Sequence, residues 1–194
     1  GWRSIFGILS AYAAILIAIL VWQLPESHPP HRRVKRSPWA GYATVIRHRI
    51  ARRYILMLAS AYSGMFVFIT ASPYLYLEHF GQSEQTFPWL FGANVVVIML
   101  MNRLNIFWLR FWSPQRLLAA GIVLQFVSAL ALLLLALSPH FELPLVLPLL
   151  MIYVGSLGLI TANTMGTVMQ YFRDVAGSAT ALMGVIQFSG GALA

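Results

Sequence analysis

Hydrophobic residues are grouped along this chain in long runs that few polar residues interrupt. The first run, residues 5–24, contains no charged residue and is closed by Pro25. Runs of the same kind cover residues 54–77, 87–103, 117–138 and 143–172, and a sixth starts near Val175. About 20 mostly apolar residues suffice for a helix to cross a bilayer. The pattern therefore predicts an all-α membrane protein with about six transmembrane helices.

A buried helix of a soluble protein is the alternative, but such a helix is usually apolar along one stripe only. Between residues 122 and 137 the only polar side chains are Gln125 and Ser128. Composition agrees, because 59% of the residues are hydrophobic and 9% are charged, against roughly 25% charged in soluble domains. We therefore expect the lipid bilayer to surround most of the chain.

The basic residues lie in alternate gaps between the predicted helices. Residues 25–53 hold eight of the thirteen, and four more lie in the two later gaps on the same side. The gaps on the opposite side carry three glutamates and neither lysine nor arginine. Lysine and arginine mark the cytoplasmic side of a membrane protein. The net charge of +8 is thus explained by topology, and no nucleic-acid partner is predicted.

The spacing of the runs predicts three parts: a transmembrane helix at residues 1–24, a basic cytoplasmic linker at 25–53, and a helical bundle at 54–194. Within the linker, residues 42–53 fit either a short amphipathic helix or a solvated segment that contacts anionic lipids, and the second is favoured. Apolar sequence stops abruptly at Ala194 and the chain starts without methionine, so we expect a fragment of a longer protein.

Several short stretches occur in the order known from one transporter family. They are Gly1-Trp2-Arg3 with Phe6, Leu24-Pro25-Glu26-Ser27, residues 69–81 (ITASPYLYLEHFG), 91–94 (FGAN), 102–104 (NRL), 113–117 (SPQRL), 158–163 (GLITAN) and 176–187 (AGSATALMGVIQ). Together they cover nearly the whole chain. The chain resembles the Bcr/CflA-type drug-resistance transporters of the major facilitator superfamily.

This resemblance implies that the chain holds helices six to eleven of a twelve-helix bacterial inner-membrane transporter. It further implies export of small amphipathic drugs by proton antiport, with the proton-carrying acid in the missing N-terminal half. A sugar or metabolite exporter of the same superfamily, or a truncated membrane protein that does not transport, remain the alternatives. The partners expected are the lipid bilayer, a small-molecule substrate, protons and that N-terminal half.

Six residues within the predicted spans are candidates for the wall of a substrate cavity: Phe66, Ser72, Pro73, Asn94, Asn163 and Gln187. A buried amide in lipid either bonds a neighbouring helix or faces a watery cavity, and the first is favoured for both asparagines. Proline bends a helix, which suits either a gating bend or a packing kink. Tyr74 and Tyr76 fit an aromatic belt at the membrane surface as well as a drug-binding role.

No catalytic residue, metal site or cofactor is predicted. The chain has no cysteine, and it lacks a glycine-rich phosphate loop and a histidine pair on one helical face. Ionisable residues are not clustered at one depth of the predicted spans, which disfavours a membrane enzyme.

Overall fold

A computed structural model describes residues 2–23 and 38–193, and these residues form helices and no strand. The proline-rich first part of the predicted linker lies outside the described residues. By their contacts, residues 1–36 and 37–194 form two separate units. The first unit contains one helix, α1 (Trp2–Gln23), in which apolar residues predominate along the whole length.

The second unit is a bundle of helices joined by short connections. In chain order it contains α2 (Pro38–Arg47), α3 (Arg49–Pro73) with a π-helical continuation (Tyr74–His79), α4 (Phe87–Trp108), α5 (Pro114–Ala136), α6 (Leu143–Gly155), α7 (Leu157–Tyr171), a 3-10 turn (Arg173–Val175) and α8 (Ala176–Leu193).

Five helical segments of the described chain are long enough and apolar enough to cross a membrane. They are Arg3–Gln23, Arg49–His79, Phe87–Trp108, Pro114–Ala136 and Leu143–Tyr171. These five correspond to the first five predicted spans, and α8 begins where the sixth was expected. The predicted all-α membrane bundle is confirmed.

In the second unit, the arginine-bearing ends of the spans are called the basic end below, and the ends next to the glutamates are called the acidic end. These spans run alternately between the two, with α6 and α7 forming one span, so the start of α3 and the end of α7 share the basic end.

The structure differs from prediction between residues 38 and 53. Residues 42–53, for which a solvated segment was favoured over one short amphipathic helix, are divided between two helices: α2 (Pro38–Arg47) ends at Arg47, and α3 begins at Arg49 instead of Tyr54. His48 separates the two helices because its Nδ1 accepts a hydrogen bond from the Ala51 N–H at 3.2 Å and so caps α3. A side-chain acceptor at this position satisfies a backbone donor that the first helical turn leaves free.

The fifth predicted span is interrupted at Ser156, where α6 ends and α7 starts. The Ser156 hydroxyl donates to the carbonyl oxygen of Tyr153 at 2.6 Å, and Gly155 precedes it. A serine that bonds back to the previous turn bends a helix, and Gly/Ser pairs are common positions for such bends. The span therefore consists of two helices that meet inside the bundle.

Helix α3 packs mainly on α8, while α4 and α5 pack on the bent pair α6–α7. Gly158 lets the backbones of α4 and α7 come close together. A Cβ at this position would lie 3.0 Å from both the backbone nitrogen of Asn102 and the carbonyl oxygen of Ile98 in α4. Leu58 of α3, Ile160 of α7 and Met183 of α8 are completely buried in the core of the bundle. Many other apolar side chains are exposed, as lipid-facing side chains must be.

Candidate functional site

The acidic end of α3 departs from α-helical geometry. Pro73 lies in the last turn of α3, and the chain continues as a π-helix from Tyr74 to His79. Ser72, directly before the proline, is buried and donates its hydroxyl to the Ile69 carbonyl oxygen at 2.9 Å. Single π-helical turns occur frequently at functional sites, which draws attention to the side chains of this turn.

Tyr76 points inward from this turn and is completely buried. Its hydroxyl lies beside the side chain of Asn94, which is 2% exposed on α4. The Asn94 amide nitrogen donates to the Leu90 carbonyl oxygen of its own helix at 3.0 Å. The Tyr76 hydroxyl and Asn94 Oδ1 form no hydrogen bond of regular geometry with each other or with any other described residue. Two neighbouring polar atoms are therefore buried with unused hydrogen-bonding capacity.

Aromatic rings surround this polar pair. Phe68 and Phe91 are stacked with ring centroids 5.9 Å apart, and Phe87 lies 6.1 Å from the Tyr76 ring in an edge-on arrangement. Phe87 and Phe91 are themselves 5.9 Å apart. These three rings, Tyr76 and Asn94 are called the Tyr76–Asn94 site. Apolar walls with a few convergent polar groups are the usual composition of a small-molecule site.

Phe66 and Gln187 belong to a different place, the contact between α3 and α8. The Phe66 ring lies 6.0 Å from Phe188 of α8 and directly against Gly191. Gln187 is 7% exposed on the face of α8 that also carries the buried Met183. Nearby, the Thr161 hydroxyl of α7 donates to the Tyr62 hydroxyl of α3 at 3.3 Å. The contact thus contains several polar groups among aromatic rings.

Asn163 joins two helices. Its amide nitrogen donates to Asn105 Oδ1 of α4 at 2.7 Å and to the Leu159 carbonyl oxygen at 2.7 Å. Both asparagines are almost fully buried. This is the interhelical bond that the sequence favoured for a buried amide, and a cavity role for Asn163 stays a prediction.

The structure brings three of the six predicted residues, Ser72, Pro73 and Asn94, to one place around Tyr76. Of the two interpretations left open for these tyrosines, a surface belt fits Tyr74, which is 63% exposed, and does not fit Tyr76, which is buried. A signal for Tyr76 was present: Phe68, Ser72 and Tyr76 follow each other at intervals of four, which places them on one helical face.

Metal ligation is not supported anywhere in residues 2–23 and 38–193, since no three His, Cys, Asp or Glu side chains lie together there.

Comparison with known proteins identifies the family of this chain. The model of the Major Facilitator Superfamily matches residues 1–194, the whole chain. The chain belongs to the major facilitator superfamily. This is a superfamily of transporters, and the chain is accordingly a multi-pass membrane protein, with five helical segments among its described residues that are long and apolar enough to span a membrane.

Two relatives within the superfamily are similar to this chain. One is the bicyclomycin resistance protein homolog of Haemophilus influenzae, 23% identical over 195 residues that make up 99% of this chain and 49% of the relative. The other is the MFS-type transporter YdgK of Bacillus subtilis, 24% identical over 192 residues, 95% of this chain and 46% of the relative. The predicted resemblance is confirmed for the superfamily, and the first relative is consistent with the Bcr/CflA type.

The chain spans about half the length of these curated relatives. No solved structure matches it significantly.

Proposed function

We propose that this chain is part of a secondary active transporter that exports small amphipathic molecules, drugs among them, by proton antiport. The chain supplies the last helix of the N-terminal half, the linker and most of the C-terminal half. The other helices of the N-terminal half of the same transporter complete the substrate cavity. The observation that carries the proposal is the Tyr76–Asn94 site, in which two neighbouring buried polar groups, without a regular hydrogen bond to any described residue, lie among aromatic rings.

The composition of this site fits an amphipathic ligand. Aromatic rings favour contact with apolar or aromatic parts of a molecule, and pairs of rings prefer the centroid separations of 4.5–7 Å found in many proteins. Asn94 Oδ1 accepts a hydrogen bond, and the Tyr76 hydroxyl both donates and accepts. A ligand that carries one polar group and an aromatic body would satisfy both requirements at once.

The position of the site fits alternating access. Transporters of this kind move two halves around a site between them, and discontinuous helices line that site. The π-helical turn after Pro73 and the break at Ser156 are two such discontinuities. We propose that the π-helical turn forms part of the gate at the acidic end, which faces the outside of the inner membrane, while the basic end faces the cytoplasm.

The proton carrier is proposed to lie in the N-terminal half. Within the described spans, charged side chains lie near helix ends, as Arg53, Glu78 and Arg103 do. An ionisable group deep in a membrane is the usual element of a proton pathway. The bicyclomycin resistance name of one relative supports drug export as the substrate class.

Export of an amphipathic fluorescent cation from vesicles that contain the full-length transporter tests the proposal. Tyr76→Phe should raise the KM several-fold because it removes a hydrogen-bonding group from the site, and Asn94→Leu should do the same. Tyr74→Phe is the matched control, since it deletes the same hydroxyl from an exposed residue in the same turn.

Equal effects of Tyr76→Phe and Tyr74→Phe would contradict the binding role of the site. Collapse of the proton gradient should abolish export by every variant. Export that continues without the gradient would refute antiport and leave the site intact, and the absence of export of any amphipathic cation would favour a metabolite exporter.

A further inference from the structure

Helix α2 is attached to the bundle by one face. Val45 on this face is completely buried, and Gly41 lies directly against the Ser178 side chain of α8. A Cβ at position 41 would overlap Ser178, so glycine permits the contact. The helix is therefore docked on the bundle rather than held only by its chain connections.

A second apolar face of α2 is left uncovered within the second unit. Trp39 is 79% exposed and Ile46 is 47% exposed, with the exposed Ala43 between them. At 3.6 residues per turn these side chains lie about 150° around the α2 axis from Gly41 and Val45. Trp39, Ala43 and Ile46 are called the α2 apolar stripe. Ile50, 44% exposed, follows in the first turn of α3, where it lines a groove beside Gln115 of α5.

Four arginines accompany this stripe. Arg47, Arg49, Arg52 and Arg53 are all exposed, and none of them forms an ion pair with a carboxylate of the described residues. A group of basic side chains beside a tryptophan and isoleucines is the composition of a helix that lies in the interface of an anionic membrane. The alternative to a membrane is a protein partner, whose surface would have to be acidic with an apolar centre.

The position of α2 relative to the spanning helices decides between these surfaces. His48 fixes the α2–α3 junction: it caps α3, and its ring lies 5.0 Å from Tyr171 and 5.2 Å from Phe172 at the basic end of α7. The span formed by α3 begins at the next residue, Arg49. Helix α2 is thus held at the level where spanning helices leave the hydrocarbon, which is the level of lipid headgroups.

We propose that α2 is an interfacial helix whose apolar stripe enters the leaflet at the basic end, with the four arginines bound to anionic phospholipid headgroups. Tryptophan is enriched at this depth because its ring is apolar and its N–H is polar. The interaction would hold the start of α3 at a fixed depth. It requires no transported substrate and does not depend on the proposed function.

The absence of cysteine from the chain offers a direct test. An environment-sensitive fluorophore is attached to Ile46→Cys, on the stripe, or to Thr44→Cys, an exposed position on the polar side of the same helix. The protein is reconstituted in vesicles of phosphatidylcholine with phosphatidylglycerol. The fluorophore at position 46 should emit at shorter wavelength and be quenched by lipids that carry a nitroxide near the headgroup, whereas aqueous iodide should quench position 44.

The difference in emission and quenching between positions 44 and 46 should become smaller when glutamine replaces Arg47, Arg49, Arg52 and Arg53. Omission of phosphatidylglycerol should have the same effect. Ala43→Cys is a second reporter on the stripe in case Ile46→Cys does not fold. Equal iodide quenching at positions 44 and 46 would overturn the proposal. Shielding of position 46 from iodide and from the lipid nitroxide together would also overturn it, because a protein surface would then cover the stripe.

Discussion

Four buried side-chain oxygens of the described chain have no hydrogen-bond partner, and they belong to Tyr76, Asn94, Thr164 and Thr167. A buried polar group left unsatisfied costs about 1–3 kcal/mol, so each such group calls for an explanation. Tyr76 and Asn94 are explained by the proposed ligand site. Thr164 and Thr167, three residues apart on α7, are both buried in the bundle.

The Asn105–Asn163 bond provides a stability prediction at the same scale. Asn105→Leu and Asn163→Leu should each destabilise the protein by about 1–3 kcal/mol, because each leaves the other amide buried without its partner. The double variant should lose clearly less than the sum of the two losses. Interhelical bonds in membranes contribute only about 0.6 kcal/mol on average, so most of each single loss comes from the abandoned partner.

The measurement is a double-mutant cycle of unfolding in mixed detergent micelles. Additive losses would show that the two amides act independently.

The same pair shows where sequence reasoning stops. Asn163 was recognisable as a polar residue within a span, but its partner was not, because the first charge, Arg103, ended the third predicted span. In the structure α4 continues to Trp108, and the exposed Arg103 can extend its long side chain toward the headgroups. Asn105 is thereby buried in the bundle, where no count of apolar residues along the chain would place it.

At the scale of elements, the number and order of helices followed from hydrophobic run length alone, but their interruptions did not. A run-length criterion reads residues 143–172 as one span, whereas the hydroxyl of Ser156 and the flexibility of Gly155 divide it. Likewise α2 is short and weakly apolar, and it is stabilised by the contact of Gly41 with Ser178 of α8, distant in sequence, and by the burial of Val45. Local signals describe a helix well only when tertiary contacts do not decide its limits.

Close packing of α4 against α7 can be tested by a pair of identical substitutions. Gly158→Ala should destabilise the bundle by about 1–3 kcal/mol, because the new methyl group would press on the α4 backbone, which cannot move aside as a side chain can. Gly166→Ala, on the same helix with open space around it, should be neutral or stabilising by up to about 1 kcal/mol.

Thermal unfolding of the two variants in detergent provides the comparison. If both substitutions changed the melting temperature alike, the close contact would have no energetic weight.

At the scale of the whole molecule, the arginines and glutamates lie at opposite ends of the spans and predict the orientation in the membrane. The same substitution, glutamine to cysteine, tests this orientation at both ends. Gln85→Cys lies in the exposed turn between the α3 and α4 spans at the acidic end, and Gln115→Cys lies in the exposed first turn of α5 at the basic end. A membrane-impermeant maleimide added to intact spheroplasts should label position 85 and should label position 115 only after the membrane is opened. The opposite pattern would invert the proposed topology.

Gly158 has a mechanical consequence for such a molecule. Where two helices touch through their backbones, no layer of side chains remains that could reorganise to let one slide or rotate against the other. The stretch of α4 from Ile98 to Asn105 and the stretch of α7 from Gly158 to Asn163 are joined by this contact at one point and by the asparagine bond at another. Two points of attachment fix both the distance and the rotation between the two stretches, so we expect them to move as one rigid body. For the proposed transport cycle we therefore expect rearrangement at the places where the helices are already interrupted, at Ser156 and after Pro73.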